Sequence, residues 1–462
     1  MPSEPRETTL AALLDSGHVH RPVKTELRDN LLSRLKAGET RFPGIVGFDE
    51  TVLPHVERAL LAGHDLVLLG ERGQGKTRLI RTLVGLLDEW TPVIKGCEIN
   101  DHPFEPVCIR CKRLAVEAGT ELPVVWRHRE ERYGEKLATP DTSVGDLIGD
   151  VDPIKVAEGR TLGDPETVHY GLVPRTNRGI FAVNELPDLA ERIQVALLNV
   201  LEERDVQIRG YSLRLPLDLL LIASANPEDY TNRGRIITPL KDRFGAEIRT
   251  HYPLELATEL DLIVQEAELV AEVPRHLLEV IARFTRLVRE SKAIDARSGV
   301  SARFSVAGAE TVAAGALRRA ALAGEEQPVA RVCDLPAVVP SLMGKVEFEV
   351  SEEGREQEVL EHLLRRAVAE TFRRHLGGAD LSGLLERFDA GETVDTGELV
   401  PSAELLRRLG PVRGLAKLME LLGLPGDSPG QAAAALEFAL EGLYLTRRLS
   451  KDVSGEGATY RT

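Results

Sequence analysis

The sequence predicts an α/β protein: a parallel sheet flanked by helices around a glycine loop, then an α-helical lid and a helical C-terminal extension. Three observations predict it. The apolar run Leu66-Val67-Leu68-Leu69 enters Gly-Glu-Arg-Gly-Gln-Gly-Lys-Thr at 70–77, and Leu79, Ile80, Leu83, Leu86 and Leu87 then recur at helical spacing. Gly179-Ile-Phe-Ala-Val and Leu219-Leu-Leu-Ile-Ala read as fully buried parallel strands. Beyond Tyr252-Pro253 strand patterning stops and helical periodicity takes over.

The strand, glycine loop and helix are the context in which G-x-x-x-x-G-K-[ST] acts as a phosphate loop. Gly70, Gly73 and Gly75 let the backbone turn tightly, so that the N–H groups along Glu71, Arg72 and Gln74 and the helix N-terminus converge on one anion. Lys76 then reaches the β- and γ-phosphates of ATP, and the Thr77 hydroxyl holds Mg²⁺.

The 462 residues suffice for two to four domains. Apolar content of 43% and charged content of 28% are those of an ordinary globular protein. A net charge of −15, with no basic cluster, speaks against a sequence-independent grip on nucleic acid. No signal-like N-terminus and no membrane-length apolar run is found, so the expectation is a cytoplasmic protein without membrane insertion. Four cysteines are too few for a disulfide scaffold.

Residues 1–44 read as a leader with one docking helix, Glu26 to Lys36, and residues 45–250 as the nucleotide-binding core. Ile45-Val46-Gly47 resembles the box that lies against the adenine in phosphate-loop proteins of this kind; the alternative is a strand-end contact with the core. Residues 91–136 form a cysteine-bearing insertion in which no regular core element is evident. Cys97, Cys108 and Cys111, with His102 or His128 as fourth ligand, match a tetrahedral structural Zn²⁺; the alternative is a loop with incidental reduced thiols. A catalytic metal is disfavoured, because three thiolates leave little room for a bound water.

The strand Gly179 to Val183 ends at Asn184 and Glu185, and polar side chains at that end of a parallel strand face the ligand crevice. Glu185 is placed to orient and deprotonate the water that attacks the γ-phosphate. Asp188 reads as the N-cap of the next helix, and 205–216 as a hairpin inserted after it. The strand at 219–223 delivers the Asn226 amide to the γ-phosphate or the attacking water. Arg233 and Arg235 read as solvated surface charges. Residues 251–345 read as the helical lid, with helices near 255–270, 275–291 and 302–322, and 346–462 as the helical extension.

From Ile45 to about Arg319 these motifs resemble, in kind and order, the AAA+ ATPase subunit of magnesium chelatase and MoxR-type ATPases. The motifs are Gly70 to Thr77, Asn177-Arg-Gly-Ile-Phe-Ala-Val-Asn-Glu-Leu, Asn226-Pro-Glu, Leu240-Lys-Asp-Arg-Phe-Gly and Gly299-Val-Ser-Ala-Arg-Phe-Ser. The resemblance implies that Lys76 and Thr77 are the Walker A pair, Glu185 the Walker B glutamate and Asn226 sensor 1. It further implies that Arg243 is a finger completing the neighbouring subunit's site, that Arg303 is sensor 2 and that the chain forms a ring, by expectation a hexamer. One departure stands out: Asn184 occupies the position of the Walker B aspartate, so an amide replaces a full negative charge beside Mg²⁺.

The leading expectation is a ring ATPase that remodels, or loads a metal or cofactor into, a partner protein of the von Willebrand A-domain type. A magnesium chelatase subunit of tetrapyrrole biosynthesis is the alternative, although such subunits usually end soon after the lid. A non-hydrolysing ATP-sensing scaffold, suggested by Asn184, is the third. A DNA-directed motor or transcription activator is disfavoured by the acidic charge and by the absence of Gly-Ala-Phe-Thr-Gly-Ala from the 205–216 hairpin.

Overall fold

The structure is a computed structural model that describes residues 4–152, 154, 157, 167–202, 205–208, 211–227, 235–295, 299–454 and 457–462. Arg209, Gly210 and Arg233 lie outside the described residues. Residues Met1–His251 and Tyr252–Thr462 form two compact units.

In the first unit five strands form one sheet in the order Ala246–Arg249, Leu66–Leu69, Leu219–Ala225, Gly179–Asn184, Tyr133–Leu137. All four pairings are parallel. Because successive side chains of a strand point to opposite faces, the central strands divide their residues between two cores. Val67, Leu69, Phe181, Val183, Leu221 and Ala223 enter one apolar cluster. Leu66, Leu68, Ile180, Ala182, Leu220 and Ile222 enter the other. Coverage on both sides explains why these strands read as continuous apolar runs.

The second of those clusters is closed by the leader helix Val23–Ala37, the helix Val52–Ala62 and the phosphate-loop helix Lys76–Thr82. The leader helix is also held by a buried bidentate pair, in which Arg132 donates to both Glu26 oxygens at 2.7 Å. Arg132 begins the approach to the edge strand, so the leader is tied directly to the sheet.

Two sequence expectations change in this unit. The insertion 91–136 contains regular elements: an antiparallel pair Trp90–Ile94 with Val124–His128, the helix Ile109–Ala118, and most of the edge strand Tyr133–Leu137. That strand escapes sequence reading because Tyr-Gly-Glu-Lys-Leu is only partly buried and carries no apolar alternation. Asp188 is not an N-cap: it sits in a 3₁₀ turn, Leu186–Asp188, and the helix runs from Glu191 to Glu202. Pro187 and the left-handed backbone of Glu185 (φ 57°) delay the helix start. Strands Asp205–Ile208 and Tyr211–Arg214 pair antiparallel, as a hairpin after that helix requires.

The second unit is built on the helices Leu256–Glu266, Arg275–Glu290, Ala302–Ala323, Glu356–Leu376 and Pro429–Leu445. Phe284, Phe304 and Val312 share one apolar cluster with Leu360, Leu364 and Phe438, so residues on both sides of position 345 pack into a common core. A three-stranded antiparallel sheet, ordered Val394–Gly397, Gly457–Arg461, Ser450–Ser454, adds β-structure where the sequence suggested helices alone. Among the described residues no helix is long and apolar enough to cross a membrane.

Candidate nucleotide site

The strand Leu66–Leu69 ends in the loop, and Gly73 and Gly75 take left-handed backbone (φ 74° and 78°) that suits glycine. Gly75 caps the helix that opens at Lys76. Gln74 is buried and accepts from the Thr250 hydroxyl at 2.7 Å, which fastens the loop to the end of the neighbouring strand. Arg72, Gly73 and Gly75 are exposed, and Glu71 is half-buried.

Lys76 is 6% exposed. Its ammonium donates to the Gly70 carbonyl, to the Glu71 carbonyl at 2.8 Å and to Asn226 Oδ1 at 2.9 Å. Asn226 Nδ2 in turn donates to Glu185 Oε2 at 3.0 Å. The structure thereby joins Lys76, at the start of a helix, to Asn226 and Glu185, each at the end of a strand. The Glu185 carboxylate is thus tied, through the Asn226 amide, to the Lys76 ammonium.

Asn184 is 7% exposed and fully engaged. Its Oδ1 accepts from the Thr77 hydroxyl at 3.4 Å and from the Ser224 hydroxyl at 3.2 Å. Its Nδ2 donates to Glu135 Oε1 at 2.7 Å. Ser224 also accepts the Glu185 N–H at 3.3 Å, which secures the strained turn after the strand. Glu135 accepts from Arg81 at 2.9 and 3.0 Å and from the Tyr133 hydroxyl at 2.9 Å. Burial opposes its charge, but the hydrogen bonds from Arg81, Tyr133 and Asn184 outweigh burial and hold the carboxyl below its ordinary range. A carboxylate therefore stands one residue's reach behind Asn184. Hard oxygen donors at Thr77 and Asn184, beside a phosphate-binding backbone, fit a Mg²⁺–nucleotide.

Ser224 and Glu135 are absent from the sequence expectations. Ser224 had a signal, a hydroxyl within the apolar strand Leu219–Ala225. Glu135 had none, because its strand was not recognised.

Ile45 is half-buried against the cluster closed by the leader helix, and Val46 beside it is half-buried. Arg243 ends the helix Thr238–Arg243 and is 44% exposed, facing Glu202 at 3.6 Å. Arg303 lies exposed in the first turn of Ala302–Ala323, in the second unit.

The three thiols do come together, but neither histidine joins them. Ligand atoms of Cys97, Asp101, Cys108 and Cys111 lie within 4.8 Å of one another, and all four residues are buried. His102 instead stacks on His20, with ring centroids 4.1 Å apart, and on His18 at 5.5 Å. His128 packs its ring against Trp90. Asp101 replaces both as the group nearest the thiols.

A family model for the sigma-54 interaction domain matches residues 160–243, the stretch that carries Glu185, Asn226 and Arg243. The magnesium-chelatase subunit ChlI of Nostoc sp. is 29% identical over 242 residues, 51% of this chain and 61% of that protein. The chloroplastic magnesium-chelatase subunit ChlI-2 of Arabidopsis thaliana is 31% identical over 271 residues, 56% of this chain and 60% of that protein. The match thus spans about three fifths of the length of these relatives. A solved complex of the BchI and BchD subunits of magnesium chelatase aligns at 21% identity and a TM-score of 0.37, covering 69% of this chain and 98% of that one. The chain has a parallel sheet flanked by helices around a phosphate-loop motif, and it resembles the ATPase subunit of magnesium chelatase and MoxR-type ATPases.

Proposed function

We propose that the chain hydrolyses ATP with Mg²⁺ as a member of a self-assembled ring, by expectation hexameric, and couples hydrolysis to remodelling or metal or cofactor loading of a von Willebrand A-domain partner. The connected Lys76–Asn226–Glu185 network carries this reading. Lys76 and the loop N–H groups bind and orient the phosphates, Glu185 takes the proton of the attacking water, and Asn226 holds both in register. When bound, Mg²⁺ neutralises charge building on the β- and γ-phosphates. Arg243, exposed at a helix end, serves the site of the adjacent subunit, and Arg303 acts from the lid. Turnover per chain should therefore rise with protein concentration and vanish in Lys76→Ala. Intact ATP binding with no phosphate release at any concentration would instead make the chain a nucleotide-sensing scaffold, the reading Asn184 favours. A chelatase subunit, suggested by the named relatives, requires Mg²⁺ insertion into protoporphyrin with the other subunits present.

Asn184 itself is matched to Glu135, because its amide donates where an aspartate would repel. Asn184→Asp alone sets two carboxylates against each other and is expected to weaken Mg²⁺-dependent nucleotide binding. Adding Glu135→Gln supplies a donor to the new aspartate and places its charge beside Thr77. The double variant should bind more tightly than the single changes predict, by a coupling of about 1–2 kcal/mol. Titration with a fluorescent ADP at varied Mg²⁺ measures this. Simple additivity of the two changes would mean that Glu135 does not govern the choice at position 184.

A further inference from the structure

The cluster at Cys97, Asp101, Cys108 and Cys111 lies within the insertion and is not part of the Lys76–Asn226–Glu185 network. We infer that it is a structural Zn²⁺ site with three thiolate ligands and one carboxylate ligand. A tetrahedral ion bound at ~2.3 Å by sulfur and ~2.0–2.2 Å by oxygen places its ligand atoms roughly 3.5–4 Å apart. The observed ligand atoms, all within 4.8 Å, need only a small contraction to meet it.

Asp101 supplies the observation that separates a metal site from a chance gathering of thiols. The residue is fully buried, and its Oδ2 accepts from the backbone N–H groups of Val107 at 3.1 Å and Cys108 at 2.9 Å. Its Oδ1, equally buried, has no hydrogen-bond partner among the described residues. A buried carboxylate oxygen without a partner is costly unless it is paired or coordinates a metal. A disulfide offers nothing here, since pairing two of three cysteines leaves the third thiol and the carboxylate oxygen as they were.

The sulfurs are prepared in the same way. The Asp101 N–H donates to Cys97 Sγ at 3.3 Å, and the Cys111 N–H to Cys108 Sγ at 3.3 Å. Cys108 is the N-cap of the ten-residue helix Ile109–Ala118, so Cys111 sits in the first turn, where the helix dipole favours thiolates. The three cysteines belong to the same buried apolar cluster as Ile94, Ile99, Leu122, Leu147 and Ile148. The ligands come from two places, the turn after Trp90–Ile94 and the start of Ile109–Ala118, and one ion would pin the two together. Such an ion would give order to the stretch between them, residues 98–107, which forms no regular helix or strand.

The experiment uses the full chain, purified under reducing conditions without chelators. Metal analysis should find about one zinc per chain, released by a mercurial reagent together with three additional titratable thiols. Replacing zinc by Co²⁺ should give the intense visible bands of a tetrahedral site and a thiolate-to-cobalt charge-transfer band. Asp101→Cys should keep the site and raise the charge-transfer intensity by about a third, as expected for a fourth thiolate. Asp101→Asn should retain less metal and lower the melting temperature. Because Asp101→Cys gains signal, a poorly folding Asn variant does not leave the question open. Substoichiometric zinc with no Zn²⁺-induced rise in melting temperature would overturn the proposal, and so would a Co²⁺ spectrum unchanged in Asp101→Cys. ATP turnover is not a readout, so the outcome is independent of the ATPase reading.

Discussion

Glu185→Gln is expected to lower ATP turnover by about 10²–10⁴ while leaving nucleotide binding nearly intact. Glutamine keeps the shape of the side chain and can still meet Asn226, which donates to Glu185 Oε2 at 3.0 Å. What it loses is the basic carboxylate oxygen that the proposed mechanism uses to take a proton from water. The backbone at Glu185 is already left-handed (φ 57°, ψ 47°), a conformation that costs of order 1–3 kcal/mol for a residue other than glycine. Asp188 N–H bonding to the Glu185 carbonyl at 2.9 Å and the Ser224 hydroxyl help to hold that turn, so the conservative substitution should not disturb it. Single-turnover hydrolysis and fluorescent-nucleotide titration, run on the same preparation, separate the two effects. Undiminished hydrolysis would remove Glu185 from the role of base.

Arg243→Ala is expected to reduce turnover by about 10³-fold or more, because an arginine finger acts on charge that develops at the transferred phosphoryl group. Arg243 ends a short helix, is 44% exposed, and faces an equally exposed glutamate, Glu202, at 3.6 Å. Such a pair is worth little in water and can be exchanged for a contact across subunits. The test of action in trans is a mixture of Glu185→Gln chains with Arg243→Ala chains, each nearly inactive alone. In a random equal mixture about a quarter of the interfaces combine an intact Glu185 with a neighbour's intact Arg243, and activity should return in that proportion. An arginine acting within its own chain gives no recovery at any ratio. Mixing therefore tests both the finger and the ring.

Around these two residues, the legibility of the site follows the distance over which each feature is written. The loop from Gly70 to Thr77 is local: its glycines, its lysine and the apolar strand before it lie in one stretch, so the motif carries its own context. Glu185 and Asn226 are legible as candidates because each follows a buried apolar strand, and the ends of parallel strands face the crevice. The first three helices of the second unit lie within a few residues of their expected bounds, since a half-buried helix shows its period in the sequence.

Tertiary structure decided the rest. The helix after Glu185 begins at Glu191 because Leu186-Pro187-Asp188 forms a 3₁₀ turn, a choice between nearly equal local options. Tyr133–Leu137 became a strand through pairing with Gly179–Asn184, and that pairing brought Glu135 to Asn184 across 49 positions of sequence. Asp101, not His102 or His128, reached the three thiols because the chain turns after Ile94 and the histidine ring stacks on the leader's His18 and His20. By itself, then, the sequence determined the phosphate loop, the two polar strand ends and the change from sheet to helices. The partners of Asn184 and of the cysteines were settled only by folding, because an edge strand and a buried loop owe their conformation to neighbours distant in the chain.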